Sequence, residues 1–446
     1  MKRMFENGKF KPFNTFFSVR KDEKFTFYSV FGVKFKLRRS SFRKVLNQRQ
    51  NLKKQYENVL KTLKDRKEKK YRVGFLVSEI QKWKCQSVFD LMKLDQCFEP
   101  VIVIVPIRRE NETLSVVENR MLEYVDFFRA KNMDCVVAWD FSHREVLLLD
   151  EFNLDIVFYQ QPWAIDKKHS VEEVSKKSLT YYVPYYVPAY GYIGLDCMPF
   201  HYQMYRYYVL NEAWKDLFLT EMNGYEEELC PVGHPMLDYF IDNPNVKEKQ
   251  YVIFAPHHSL TENSIGLGTF HWSGLEVLKY AEQHPEFNWV YKPHPVLKES
   301  LLKSQLMTSE QVENYWRAWE AIGEVYEGGE YMPIFNDSSC LITDCGSFLV
   351  EYFYTGNPVI HLKSGKAKEP VFALKEILDC YYAASSKDSL LESMESLLVE
   401  KKDILANKRL KKLDNLFDGL ESSSQKIVKD IKKTLYLLQS SHKEIF

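Results

Sequence analysis

The sequence predicts an α/β protein made of two doubly wound domains. Three observations carry that expectation. Short apolar runs recur at 71–77 (YRVGFLV), 100–105 (PVIVIV), 251–255 (YVIFA) and 340–343 (CLIT), as in strands buried on both faces. Segments of helical periodicity lie between them, the alternation that builds parallel sheets with crossover helices. Several of the runs also end in polar turns, and ligands of open parallel sheets bind beyond those strand ends. At 446 residues the chain is too long for one ordinary core. The expected division is a basic extension at 1–70, a first α/β domain at 71–243, a second at 244–400, and C-terminal helices at 401–446.

Composition narrows the class. An apolar fraction of 45% with 15% aromatics is ample for globular cores. No run reaches the ~18 uninterrupted apolar residues of a membrane-spanning helix. The charged N-terminus is unlike a secretory signal. The eight cysteines are scattered without a CxxC pair, which predicts reduced thiols, a cytoplasmic setting and no zinc site. A formal net charge of zero hides an asymmetry: residues 1–70 hold 22 Lys/Arg against 6 Asp/Glu, and the remainder carries the opposite imbalance. Such an arm predicts a polyanionic partner, either an anionic membrane face or an acidic polymer, and no nucleic acid is expected.

Taken in order, residues 25–28 (FTFY) are mostly aromatic, and 33–39 (VKFKLRR) alternates apolar with basic, as in a short strand or an interfacial patch. From Ser41 a helical pattern takes over, with Val45, Leu52 and Val59 seven apart and Tyr56 and Leu63 beside them. That helix either packs on the body or lies on a membrane. Four strands are expected in the first domain, at 71–77, 100–105, 135–137 and 156–159. Their ends place Ser78, Glu79, Gln161 and residues 185–190 around a cleft. Residues 180–208 are rich in tyrosine, whose flat ring and hydroxyl suit a carbohydrate or polyol acceptor, or else packing between domains. Gln161, Tyr185 and Tyr190 are the acceptor-side candidates. VGHPMLD at 232–238 closes the domain, and Asn243-Pro244-Asn245 reads as a linker.

In the second domain, strand 251–255 ends in PHHS (256–259), strand 289–291 in KPHP (292–295), and strand 340–343 in TDCGS (343–347). Helices are expected at 270–284 and 309–322. Another begins near Phe348, stops at Gly356-Asn357, and leads to a strand at 358–362. Beyond Ala384 the apolar stripes Leu391, Met394, Leu397-Leu398 and Ile427, Ile431, Leu435 read as packing helices. Parallel strand ends share one edge, so the three polar turns converge. Lys292 or His294 can neutralise phosphate, and Gly346 and Ser347 offer donors at a helix start. Glu351, one helical turn on, can accept from ribose hydroxyls. His257, His258, His294 and Glu79 are the candidates for catalysis. No well-placed DxD pair is present, so neither metal nor cofactor is expected.

The order PHHS, WVYKPHP (289–295), LITDCGSFLVEYFYTGNPVI (341–360) resembles the bacterial CDP-glycerol glycerophosphotransferases of teichoic-acid and capsule synthesis. The resemblance is firm over 250–362 and weaker over 72–238, where VGHPMLD matches the family's turn before the linker. It implies the GT-B architecture, two Rossmann-like domains facing across a cleft, and the basic arm adds the expectation of peripheral attachment to the cytoplasmic membrane face. It implies CDP-glycerol as donor and a glycan or lipid-linked acceptor. His294 then meets the donor diphosphate, Asp344, Gly346 and Ser347 the phosphates, and Glu351 the ribose, with His257, His258 and Ser259 in the loop facing the cleft. The family's Trp-His-Gly motif has no counterpart, because the corresponding region reads Tyr182-Val183-Pro184-Tyr185-Tyr186. A GT-B glycosyltransferase using a nucleotide sugar is therefore the alternative. A non-hydrolysing sugar-nucleotide epimerase, which shares the strand, Asp, Gly/Ser and Glu-helix signature, is the third reading. A scaffold assembled through the 45–63 helix is the non-enzymatic one.

Overall fold

Seven parallel strands form the first sheet: β1 (Tyr71–Val77), β2 (Phe98–Ile104), β3 (Cys135–Val137), β4 (Ile156–Tyr159), β5 (Leu179–Tyr182), β6 (Arg206–Val209) and β7 (Leu229–Pro231). Their order across the sheet is β7-β6-β5-β4-β1-β2-β3. The structure is a computed structural model that describes residues 5–6, 9–10, 17–21, 25–30, 33–38, 40–65, 70–109, 112–187, 196–243, 250–260, 265–328, 330–367, 372–416 and 421–440. The sequence reading stops at four strands here. Tyrosine-rich β5 and β6 left acceptor surface and packing both open, and Tyr181, Tyr182, Tyr207 and Tyr208 are buried. Aromatic residues favour the pleated, packed surface of a strand, and these rings stack between neighbours, as Tyr181 does on Phe158 and Tyr208. Packing therefore claims most of the stretch that composition offered to an acceptor.

The second sheet repeats the design with β8 (Tyr251–Ala255), β9 (Asn288–Tyr291), β10 (Glu324–Val325), β11 (Ser338–Thr343), β12 (Val359–Leu362) and β13 (Tyr382–Ala384). All pairs are parallel, in the order β10-β9-β8-β11-β12-β13. The short outer strands β10 and β13 were not anticipated. In both sheets the strand order reverses once, between β1 and β4 and between β8 and β11. Helices cover both faces of each sheet, as expected for a pair of Rossmann-like domains of the GT-B type.

Outside the two sheets, the strands Phe17–Lys21, Phe25–Val30 and Val33–Arg38 pair antiparallel. Helix Ser40–Asp65 then runs along the first domain. Leu52, Tyr56, Val59 and Leu63 are buried there, and the Tyr56 hydroxyl donates to the Gln203 carbonyl at 2.7 Å. This apolar stripe is spent on packing, which removes it from a membrane-lying role. No helix of the described residues is long and apolar enough to cross a membrane. The linker expected at 243–245 lies outside the described residues from 244 on.

The last helix, Ser423–Ser440, returns to the first domain, where Ile427, Ile431 and Leu435 join its core. VGHPMLD makes this return possible. Gly233 has φ of +93°, and a Cβ there would lie 2.2 Å from Ser423 Oγ, so glycine is required by both conformation and space. The Asp238 carboxylate accepts the N–H groups of Ser423 and Ser424, each at 2.8 Å, satisfying two orphan donors at the helix start. Replacing Asp238 by Ala should lower stability by about 1–2 kcal/mol. Urea denaturation would show a lower midpoint at unchanged slope, and an unchanged midpoint would sink this account of the helix.

Candidate functional site

The switch point of the second sheet lies where β8 and β11 end, and Asp344 sits between them. Its Oδ1 accepts the His257 N–H at 2.6 Å. Its Oδ2 accepts the Thr269 N–H at 2.6 Å and the Thr269 hydroxyl at 2.8 Å. Burial pushes the carboxyl up to about 6, and the three hydrogen bonds oppose that shift. Asp344, expected on the donor phosphates, has both oxygens committed to protein. It builds the site by pinning the PHHS turn to the start of helix Phe270–Gln283. Ser259 is also turned inward. Its hydroxyl oxygen receives the N–H groups of Leu267 and Gly268 at 2.9 and 3.1 Å and lies 2.8 Å from His257 Nδ1.

Three imidazoles then gather above the strand ends. Ring centroids are 4.5 Å apart for His257 and His258, 4.1 Å for His258 and His294, and 5.1 Å for His257 and His294. Burial, then His258 and Lys292, drives His294 down to about 3. Burial also holds His258 below its ordinary value and His257 well below it. All three rings are neutral at pH 7, so the fixed positive charge comes from lysine. Lys292 is buried, donates to the Gly328 carbonyl at 3.2 Å, and lies 4.9 Å from the Tyr331 ring centroid. Burial takes it down to about 8, with repulsion from Lys84 adding to the push.

Lys84 is the residue that sequence reasoning missed. It follows β1 in the first domain, yet its ammonium lies 5.0 Å from the same Tyr331 ring. Its charge is felt by Glu351, whose carboxylate accepts the Tyr331 hydroxyl at 2.7 Å. Burial lowers Lys84 and raises Glu351, and their mutual attraction opposes both shifts. Two largely buried ammonium groups thus share one buried carboxylate and one aromatic ring. Nothing in local spacing marks Lys84 or Tyr331, because their meeting depends on one domain facing the other. Ser347 lies at the start of helix Gly346–Glu351, with Glu351 at its end. That helix has only 6 residues before a tighter turn at Tyr352–Thr355, so its dipole is weaker than the sequence pattern promised.

At the first domain's edge the structure brings Glu79, Gln161 and Tyr185 together around Lys82. Gln161 accepts from Lys82 Nζ at 2.8 Å, and that ammonium lies 5.2 Å from the Tyr185 ring. Burial raises Glu79, but hydrogen bonds from Lys82 and Arg109 outweigh it and hold the carboxyl below the usual range. A base so engaged is poorly suited to accept a proton. Tyr190 lies outside the described residues. For the loop itself, Asp344→Asn leaves an amide N–H₂ against a backbone donor and should cost about 2–3 kcal/mol of stability. Thermal and urea unfolding measure this, and a variant as stable as the parent would refute the pinning role.

Neither a protein-family model nor a curated protein sequence matches the chain. Solved structures do match in fold. The wall teichoic acid polymerase TagF, as a histidine-to-asparagine variant soaked with CDPG, aligns at TM-score 0.51 and 12% identity, covering 89% of this chain and 97% of that one. MnaA of S. aureus, in a co-structure with UDP, aligns at TM-score 0.50 and 12% identity, covering 82% and 97%. UDP-GlcNAc 2-epimerase from Neisseria meningitidis, bound to UDP-GlcNAc, aligns at TM-score 0.48 and 14% identity, covering 81% and 100%. What the TagF and MnaA alignments share with this chain is the fold alone, two Rossmann-like domains of the GT-B type.

Proposed function

We propose that this chain is a transferase that moves glycerol phosphate from CDP-glycerol to an acceptor hydroxyl and releases CMP. The observation that carries the reading is the gathering of two largely buried ammonium groups and several hydrogen-bond donors at the switch point of the second sheet. Lys292 and Lys84 lie near the buried Glu351, with the exposed Glu327 and Glu330 also felt by them, Ser347 adds a hydroxyl, and three neutral imidazoles line the approach. A diphosphate is attracted to both ammonium groups, and such donors stabilise charge developing on phosphoryl oxygens. TagF, whose structure was soaked with CDPG, has the same fold, which supports this donor class over an unrelated anion. Gly346, Ser347 and Lys292 are assigned to the diphosphate and Glu351 to the nucleoside side. Gln161 and Tyr185 are assigned to the acceptor side.

A nucleotide sugar is the second reading, favoured by the absence of a histidine from 182–186 and by the fold shared with MnaA, whose co-structure holds UDP. In that case the acceptor attacks the anomeric carbon and a nucleoside diphosphate leaves. Peripheral attachment to an anionic membrane through the basic residues 1–39 belongs to the same proposal, each cation adding about 1 kcal/mol near such a surface. Flotation with anionic vesicles should weaken when residues 1–39 are deleted, and unchanged flotation would remove the membrane from the proposal.

Incubation with CDP-glycerol and a polyol-phosphate acceptor should release CMP, whereas UDP release from a UDP-sugar under the same conditions would favour the second reading. Affinity for the donor should also depend on pH through Lys292. The ammonium binds anions, its folded value is about 8, and donor affinity should therefore fall as pH rises past that value. Lys292→Met should weaken binding at pH 7 and flatten this dependence. Calorimetric titration of donor from pH 7 to 9 measures both effects, and an equally steep profile in the variant would exclude Lys292 as the source.

A further inference from the structure

Three imidazoles whose nitrogens lie within 4.8 Å of one another also have the composition of a divalent-metal site. The hydrogen bonds decide between a metal and an anion. Ser259 Oγ already accepts two backbone N–H groups, from Leu267 and Gly268, which fill both its lone pairs. Its own proton is left to His257 Nδ1 at 2.8 Å, and the Ser259 N–H donates to the same nitrogen at 3.2 Å. A backbone N–H can only donate, so His257 Nδ1 is an acceptor and the ring proton sits on Nε2.

His294 is set by a different device with the same result. In the His-Pro-x turn, the Val296 N–H donates to His294 Nδ1 at 3.3 Å. The first domain holds an internal control. His234-Pro235-Met236 makes the same contact at 3.3 Å, and there Nε2 lies 2.7 Å from the Pro184 carbonyl, which can only accept. The turn therefore fixes the Nε2–H tautomer. In His294, as in His257, Nε2 has no protein acceptor among the described residues, and a ring protonated there keeps its one lone pair on Nδ1, where a backbone N–H already takes it from a metal. His258 lies between the two, and neither of its ring nitrogens is held by a hydrogen bond among the described residues.

We propose that His257 and His294 are locked Nε2–H donors that cradle a diphosphate oxyanion, and that His258 is the ring that takes the acceptor's proton. The division of roles rests on the transferase reading. The acceptor oxygen bonds to the β-phosphorus, the bond from that phosphorus to the bridging oxygen breaks, and CMP leaves with the electron pair. The hydroxyl proton passes to the free lone pair of His258, while the two locked N–H groups meet the charge on the phosphoryl oxygens.

Long-range ¹H–¹⁵N correlation spectra of the ¹⁵N-histidine-labelled full chain, assigned with single variants, read the tautomers directly. The expected result at pH 7.5 is Nε2–H for His257 and His294, with and without pyrophosphate, and shifts at both rings when pyrophosphate binds. An Nδ1–H form at either ring overturns the lock. So does a stoichiometric Co²⁺ absorption band that disappears in His294→Ala. In turnover, His294→Gln, which keeps an N–H donor near the Nε2 position, should stay within about tenfold of the parent, whereas His294→Ala loses about 10²–10³ in kcat. His258→Gln should lose about 10²–10⁴ in kcat at little-changed KM. If His258→Gln stays active, the proton role is wrong. If the parent turns over no donor at all, the transferase reading and the proton role fall together, while the spectra and the pyrophosphate titration still decide the locked donors.

Discussion

One buried carboxylate fixes the geometry on which the second domain's edge depends. Asp344 stands at the end of β11 and holds two other segments, the turn after β8 and the start of the following helix, through three donors. An isolated charge in this position would cost several kcal/mol, and the carboxyl's upward shift shows that desolvation is only partly repaid. The return is positional. Once the His257 amide is placed, Ser259 follows through its own hydrogen bonds and fixes the His257 ring, while His294 is held beside it by its own turn.

Electrostatics divides the labour between the domains. The second sheet supplies Lys292, Glu351 and the histidines, while Lys84 arrives from the first domain and meets Lys292 at the Tyr331 ring. The two desolvated cations repel each other beside one buried carboxylate, and an anion between them would relieve that repulsion. The histidines contribute no charge. They are held neutral by burial, and their usefulness lies in where their protons point.

Much of this was legible in the chain. Strands β8, β9 and β11 are continuous apolar runs ended by polar turns, because parallel strands covered on both faces need no alternation. The convergence of PHHS, KPHP and TDCGS followed from that topology alone. Other features were hidden for physical reasons. Tyr181, Tyr182, Tyr207 and Tyr208 carry a hydroxyl that reads as surface, but their ring area dominates once it can stack in a sheet. Strands β10 and β13 are only 2 and 3 residues long, too short to show a period. The polarity of Asp344 and Ser259 was visible, whereas the direction in which they spend it was not, since their partners lie 75 to 87 and 8 to 9 residues away. Lys84 depends on a contact between domains, which no local pattern encodes.

The return of helix Ser423–Ser440 to the first domain bears on how the protein is made. The apolar side chains of Ile427, Ile431 and Leu435 belong to the core that β1, β2 and β4 begin, more than 250 residues earlier in the chain. During synthesis the first sheet emerges early, with one face still uncovered, and it must wait through translation of the entire second domain for its last helix. At about 5–20 residues per second that interval lasts tens of seconds. Until that helix arrives, the face that carries Tyr181 and Tyr208 lacks its cover, and the Tyr208 hydroxyl lacks its Asp430 acceptor.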